Sequence, residues 1–363
     1  MYSMFKGMQL VSREICEKKK MFPMIVLVVA LAAYANGQFP TGTCPFECNC
    51  NNTETICTSQ SMFPTGISES ALYFELRDSN IQEIRHGAFD NQRQLQRIKI
   101  VSSNITKLSA CSFSNLQNLV KIEIVNSTVR IIEGNAFSHL TNITQIVFHD
   151  SRVGTIDSYA FHNVEGVDKF LFERNEIETI SPHAFMNISR TANYKIMYNK
   201  IRLINSGVIK SMYAVTNFNF TGNSITDMFC GNQDALLESN ATAQVFNNTF
   251  NCSCTLAWIF SLPANDYKTI NFKEQNYCND TQRGELIQLS KLQLSPLCEE
   301  NVRCPMQSPI LPYKDCMINF DKPLNPVDKV DYPNKDRKPS GQTAVVITFF
   351  QMLILVVFLL LIS

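Results

Sequence analysis

A chain of 363 residues with 32 Lys+Arg against 32 Asp+Glu has no formal net charge. That balance speaks against a nucleic-acid binder, which needs a basic excess, and against an acidic disordered chain. Hydrophobic residues make up 45%, enough for a large core. The 13 cysteines indicate an oxidising compartment, and the odd count leaves at least one outside any intramolecular bridge or removed.

Residues 1–37 read as a secretory signal. Lys18, Lys19 and Lys20 precede the apolar run from Met24 to Ala33, which falls short of the roughly 20 residues that a membrane span needs. Ala35 and Gly37 supply small residues for cleavage before Gln38. Removing the five basic and two acidic residues of 1–37 leaves 27 basic against 30 acidic, a net of minus three. Cys16 leaves with this segment, so twelve cysteines remain. Residues 38–70 hold the first cluster of them: Cys44, Cys48, Cys50 and Cys57.

A repeat of 24 residues fills 71–242. Leu76, Ile100, Ile124, Phe148, Phe172, Ile196 and Phe220 are in phase, and so are Phe74, Ile98, Ile122, Ile146, Phe170, Tyr194 and Phe218. Ile81, Ile105, Val129, Val153, Ile177, Ile201 and Ile225 form a third series, and Phe89, Phe113, Phe137, Phe161 and Phe185 another. An eighth copy, displaced by one residue, runs through Ala243, Val245 and Asn248. The pattern resembles the leucine-rich repeat, L-x-x-L-x-L-x-x-N-x-L, with Ile and Phe at many Leu positions. Its asparagine slot holds Asn175, Asn199 and Asn223 late in the array and Ser79, Ser103, Ser127 and Ser151 early. Serine bonds the turn backbone more weakly than asparagine, so the early repeats are expected to be less regular. The expected fold is an α/β leucine-rich repeat solenoid: a curved parallel sheet on the concave face, an irregular or short helical outer side, and caps over the apolar ends.

Residues 243–298 carry the last repeat and a second cluster, Cys252, Cys254, Cys278 and Cys298, with Trp258 between them. Both clusters resemble the N- and C-terminal cysteine caps of extracellular leucine-rich repeat proteins. The resemblance covers about residues 44–298 and implies the pairs Cys44–Cys50, Cys48–Cys57, Cys252–Cys278 and Cys254–Cys298. Spacing alone does not decide connectivity. Cys304 and Cys316 are expected to pair with each other. Cys111 and Cys230 stand five repeats apart, beyond bonding distance of one another, and read as buried thiols or as one bridge to another chain.

The segment 299–342, rich in proline and charge, reads as a stalk. The run 343–363 is long and apolar enough to cross a bilayer, and the absence of a basic residue after it favours a GPI attachment signal over a retained span. Sequons at Asn51, Asn104, Asn126, Asn142, Asn187, Asn219, Asn240, Asn247 and Asn279 fit a glycosylated ectodomain, and Asn251, beside Cys252, is a poor acceptor. The expected location is therefore the outer face of the plasma membrane, GPI-anchored or single-pass.

No phosphate loop, nucleophile elbow or zinc-protease motif is present, so the chain reads as a non-enzyme with no cofactor or metal. The outward positions of the concave strands are the candidate partner-binding face: Tyr73, Arg77, Arg97, Lys99, Lys121, His149, Lys169, Leu171, Arg174, Lys195, Met197 and Tyr198. Leu171, Met197 and Tyr198 are the candidate anchors, and glycans on Asn126 and Asn219 would confine a partner between them. The architecture resembles GPI-linked leucine-rich repeat adhesion proteins and co-receptors and implies an extracellular protein ligand or receptor as partner. The alternatives are a ligand-capturing co-receptor in defence or hormone signalling, and the non-catalytic subunit of a secreted enzyme complex.

Overall fold

The computed structural model describes residues 44–293, apart from 115, 209–211, 214 and 233–241. The leader, Asn240, Cys298, Cys304, Cys316, the stalk and the apolar tail fall outside the described residues.

Each 24-residue turn of the chain lays down one strand in a sheet and then moves on to the next sheet. The first sheet has ten strands and holds those assigned to the concave face, from Tyr73–Arg77 through Arg97–Val101, Lys121–Val125, Gln145–His149, Lys169–Glu173, Asn193–Met197 and Asn217–Thr221 to Thr242–Phe246. A second ten-stranded sheet collects the strands that follow each of these, such as Asn104–Leu108 and Arg152–Ile156. The outer side is more regular than expected. It is a five-stranded parallel sheet that includes Phe137–Thr141, Phe161–Glu165 and Phe185–Ser189. Neighbouring repeats pair in phase, with Ile98 opposite Ile122 and Phe137 opposite Phe161. The last repeat pairs one residue out of phase, with Asn219 opposite Gln244, as its displaced pattern requires.

Strand alternation sends every second side chain of the concave strands inward. The two inward series of the first sheet are buried throughout the seven in-phase repeats, from Phe74 and Leu76 to Phe218 and Phe220. The recurring phenylalanines stack along the coil, with Phe113–Phe137 and Phe137–Phe161 centroids both 4.7 Å apart. Such stacked rings add about 0.5–1.5 kcal/mol per pair beyond burial.

The asparagine slot forms a continuous ladder. Each side-chain oxygen accepts the backbone N–H of the same slot one repeat earlier: Ser79 N–H to Ser103 Oγ at 3.1 Å, Ser151 N–H to Asn175 Oδ1 at 2.9 Å, and Asn199 N–H to Asn223 Oδ1 at 3.0 Å. The early repeats keep the same five-residue strands as the late ones, contrary to expectation. The serine oxygens accept that N–H as the asparagines do. The second bond differs: the serine hydroxyls donate within their own turn, as Ser79 Oγ does to the Arg77 carbonyl at 2.8 Å and Ser103 Oγ to Val101 at 2.9 Å, whereas Asn175 and Asn199 donate from Nδ2 to the Phe148 and Phe172 carbonyls of the preceding repeat at 3.0 Å.

The caps hold three of the implied disulfides: Cys44–Cys50, Cys48–Cys57 and Cys252–Cys278. Trp258 packs under the C-terminal cap and donates from Nε1 to the Met228 carbonyl at 3.1 Å. The cap helix, Tyr267–Gln275, starts where the Asp266 side chain accepts the Thr269 N–H at 2.9 Å. One expectation is corrected. Cys111 and Cys230 are not thiols; both are disulfide-bonded, as is Cys254. Repeat phase could not reveal this, because neither Cys111 nor Cys230 recurs at the repeat period.

Candidate functional site

The concave sheet presents its outward residues in three rows that follow the strand register. The first row runs Tyr73, Arg97, Lys121, Gln145, Lys169, Asn193, Asn217 and contains no acid. The second runs Glu75, Lys99, Glu123, Val147, Leu171, Lys195, Asn219, and the third Arg77, Val101, Val125, His149, Glu173, Met197, Thr221. A fourth line is formed by the turn residue after each strand. Asp78, Asn126, Asp150, Arg174 and Tyr198 all take φ between 48° and 58° there, a left-handed turn repeated once per coil. Gly222 continues the line and leaves room for the Tyr198 ring, which a Cβ would meet at 2.5 Å.

At the N-terminal end, Glu75 is buried and fully engaged. Tyr73 Oη donates to it at 2.6 Å and Arg77 Nη2 at 2.6 Å, while Arg97 lies 5.2 Å from the Tyr73 ring centroid. Burial works to raise the Glu75 carboxyl, but the Tyr73 and Arg77 hydrogen bonds outweigh it and hold the group below the ordinary range. Lys121 pairs with Glu123 at 2.8 Å.

In the middle, His149, Asp150, Glu173 and Arg174 form a four-residue network. Arg174 Nε meets Asp150 at 2.8 Å and Nη1 meets Glu173 at 3.1 Å. His149 Nδ1 meets Asp150 at 2.7 Å, and its other ring nitrogen faces Arg174. The Arg174 hydrogen bond keeps the exposed Asp150 carboxyl below its usual range.

Beside this network the surface turns apolar and open. Tyr198 is 58% exposed and Met197 is half-buried, whereas Leu171 is only 3% exposed. Leu171 is therefore not an accessible anchor; it sits in the middle row between Val147 and Lys195 and belongs to the floor of the face. Lys169 and Lys195 make no ion pair among the described residues, in contrast to Lys121 and Arg174.

The sequon asparagines Asn51, Asn104, Asn126, Asn142, Asn247 and Asn279 are exposed, and Asn187 and Asn219 half-buried. Asn126 follows the third repeat's concave strand and Asn219 lies in the seventh, so the three concave strands between them, Gln145–His149, Lys169–Glu173 and Asn193–Met197, carry no sequon. The histidine–arginine network, Lys169, Lys195, Met197 and Tyr198 all fall in that window.

Sequence reasoning missed a groove at the C-terminal end of the face. It has a volume of about 460 Å³ between the last concave strand and the cap helix, lined by Gln244, Phe246, Tyr267, Asn271 and Gln275. Tyr267, on its cap-helix side, is largely exposed, and no repeat or motif in the sequence marks it. Among the described residues, no group of three or more His, Cys, Asp or Glu could hold a metal ion, and no described helix is long and apolar enough to cross a membrane.

Residues 68–189 and 124–233 match the family model of the BspA type leucine-rich repeat region, in six copies. No curated protein matches the chain. Among solved structures, human 5T4 (Wnt-activated inhibitory factor 1, trophoblast glycoprotein) is similar at 14% identity and a TM-score of 0.38, over 70% of this chain and 99% of that one.

Proposed function

Starting from a leucine-rich repeat protein with disulfide-bonded caps, we propose that this chain is an extracellular, membrane-tethered protein-binding module acting in cell adhesion or as a co-receptor, without catalysis of its own. The observation that carries the reading is the sequon-free window of the concave face. It combines an exposed aromatic, Tyr198, with Met197 and two lysines that make no ion pair among the described residues, Lys169 and Lys195. Interfaces favour aromatic anchors ringed by polar groups. The His149–Asp150–Glu173–Arg174 network fixes the adjoining side chains and so lowers the ordering cost of docking. The pattern of sequons and disulfides supports passage through the secretory pathway, and the apolar run 343–363 supports a tether.

The test is binding of a labelled soluble ectodomain, residues 38–342, to cells, compared with its Tyr198→Ala variant. Saturable binding that the variant loses by tenfold or more supports the reading. Equal binding by both proteins removes the window from it. Aggregation of cells that express the full chain indicates adhesion, whereas binding without aggregation indicates a co-receptor. Release of the full chain by a GPI-specific phospholipase reports the tether separately.

A further inference from the structure

We propose that Asn247 carries an N-linked glycan whose first sugar is seated in a hollow between the last repeat and the C-terminal cap, so that this sugar is part of the capping structure. The hollow has a volume of about 390 Å³ and is lined by Phe246, Asn247, Glu274, Gln275 and Tyr277. That volume falls in the range of about 300–1,000 Å³ found for small-molecule sites. Phe246 and Gln275 are shared with the groove described above, whereas Tyr267 and Asn271 border the groove alone.

The sequon Asn247-Asn248-Thr249 puts the acceptor on the wall of the hollow itself. Asn247 continues the line of left-handed turns into the eighth repeat, with a φ of 56°. Along that line each N–H bonds a carbonyl of the next repeat's strand, as Tyr198 does with Thr221 and Gly222 with Phe246. Asn247 meets the cap instead. Its N–H goes to the carbonyl of Gln275, the last residue of the cap helix, at 2.8 Å. The acceptor therefore stands at the seam between repeat and cap.

A second, independent observation separates this sequon from most of the others. Asn51, Asn104, Asn126, Asn187 and Asn219 each donate from Nδ2 to a side-chain oxygen of the protein. The glycosidic bond is made at that same nitrogen. Asn142, Asn247 and Asn279 make no such bond among the described residues. For Asn247 the reason is its neighbour. Asn126, in the same line of turns, donates to Ser102 one repeat earlier, but Asn247 follows Gly222, which offers no side chain.

The walls suit a sugar. Phe246 and Tyr277 are half-buried and present two aromatic rings. The C–H groups of a pyranose carry partial positive charge and pack on the negative face of such rings. Glu274 and Gln275 are exposed at the end of the cap helix. The Glu274 side chain makes no ion pair or hydrogen bond among the described residues, and Gln275 uses only its Nε2, toward Asn271 at 3.0 Å. Their oxygens accept from the hydroxyl and acetamido hydrogens of N-acetylglucosamine. Attachment selects the occupant, because a ligand tethered to the wall reaches an effective concentration that a diffusing one does not.

The modification is a group transfer from a lipid-diphosphate-linked oligosaccharide of the secretory pathway. The bond from C1 of the first sugar to the diphosphate oxygen breaks, and a bond from C1 to Asn247 Nδ2 forms. The lipid diphosphate leaves with the electron pair, and Nδ2 gives up one proton. Seated toward Glu274 and Tyr277, the glycan is drawn away from the Tyr198 ring, which lies over Gly222. The seating itself does not depend on the binding role proposed above.

The test uses the protein purified from cells that make only high-mannose glycans. Glycopeptide mapping should find Asn247 occupied, and an unmodified Asn247 would overturn the proposal. Thr249→Val removes this sequon and leaves Asn247 in place. It should lower the thermal midpoint by about 2–4 °C. Thr281→Val removes the sequon of Asn279, which is exposed and lines neither the hollow nor the groove, and should leave the midpoint unchanged. Equal midpoints for the two variants would count against the seat. Trimming the parent with an endoglycosidase that leaves one N-acetylglucosamine per site should also leave the midpoint unchanged, and a loss as large as that of Thr249→Val would refute a role for the first sugar. One further readout needs no variant. In the trimmed protein carrying ¹³C-labelled N-acetylglucosamine, the rings of Phe246 and Tyr277 should shift the proton signals of one sugar upfield, and a spectrum with no shifted sugar would exclude the seat.

Discussion

Asn276 of the C-terminal cap accepts the Asn248 backbone N–H on its Oδ1 at 2.9 Å and donates from Nδ2 to the Val245 carbonyl at 2.8 Å. Asn248 treats Asn223 and the Phe220 carbonyl in the same way. The cap therefore ends the solenoid by supplying the last rung of its internal ladder. Asn276→Ala strands a buried N–H and should cost about 1–3 kcal/mol. Thermal unfolding of the secreted ectodomain should show a clear drop in midpoint, larger than that for Ala at the exposed Gln275. Equal midpoints for the two variants would remove Asn276 from the ladder.

The rungs at Asn175, Asn199, Asn223 and Asn248 were legible in the sequence because the repeat period carries them. Asn276 was not, because 28 residues and a helix separate it from Asn248. The concave rows were legible for a similar reason, since alternation alone sorts Lys195 from Ile196. What alternation does not give is depth: Leu171 occupies an outward position yet is covered. The outer strands were hidden too. Segments such as Phe161–Glu165, with His162 and Asn163 inside, have no strand pattern of their own and form only because identical turns stack on both sides. The bonded state of Cys111 and Cys230 was hidden as well, because neither cysteine recurs at the repeat period.

Gly154 interrupts the β-branched Val153, Thr155 and Ile156 of the strand Arg152–Ile156 for a steric reason. A Cβ there would collide with the backbone carbonyl of Arg130 in the neighbouring strand. Backbone cannot swing aside as a side chain can, so Gly154→Ala must push two paired strands apart. The expected result is a loss of about 1–3 kcal/mol and reduced secretion. Gly284→Ala, where nothing lies within 4 Å and only the left-handed φ of 68° is strained, should cost less. Comparing the thermal midpoints checks this, and the reverse ranking would refute it.

Asp157 is placed against the fold by its charge. Burial first, then the neighbouring Glu133, hold its carboxyl above the ordinary range. A carboxyl that ionises less readily when folded binds more protons in the native state, so stability falls as pH rises from the unfolded pKa through the folded one. Asp157→Asn should therefore raise the thermal midpoint at about pH 7, and the gain should vanish at about pH 3, where both states are protonated. An equal gain at both pH values would mean that packing, not charge, is responsible.

The concave window can be closed with a single substitution. Asn193 is followed by Tyr194 and Lys195, so Lys195→Thr creates a sequon on the middle of the face. Asn193 is half-buried at the edge row; its Nδ2 donates to the Asp168 carbonyl at 3.2 Å and its Oδ1 accepts from Asn217 Nδ2 at 3.4 Å, two exposed bonds that a glycosylated side chain would give up to turn outward. A glycan there would stand over Met197 and Tyr198 without disturbing the inward Tyr194 and Ile196. The variant should be secreted normally, gain the mass of one N-glycan, and lose cell binding. Lys195→Ala removes the same charge without adding a sugar and should lose at most about tenfold, the scale of one rim contact. If the glycosylated variant binds cells as the parent does, the partner docks elsewhere, and the groove between Phe246 and Tyr267 is the next face to block.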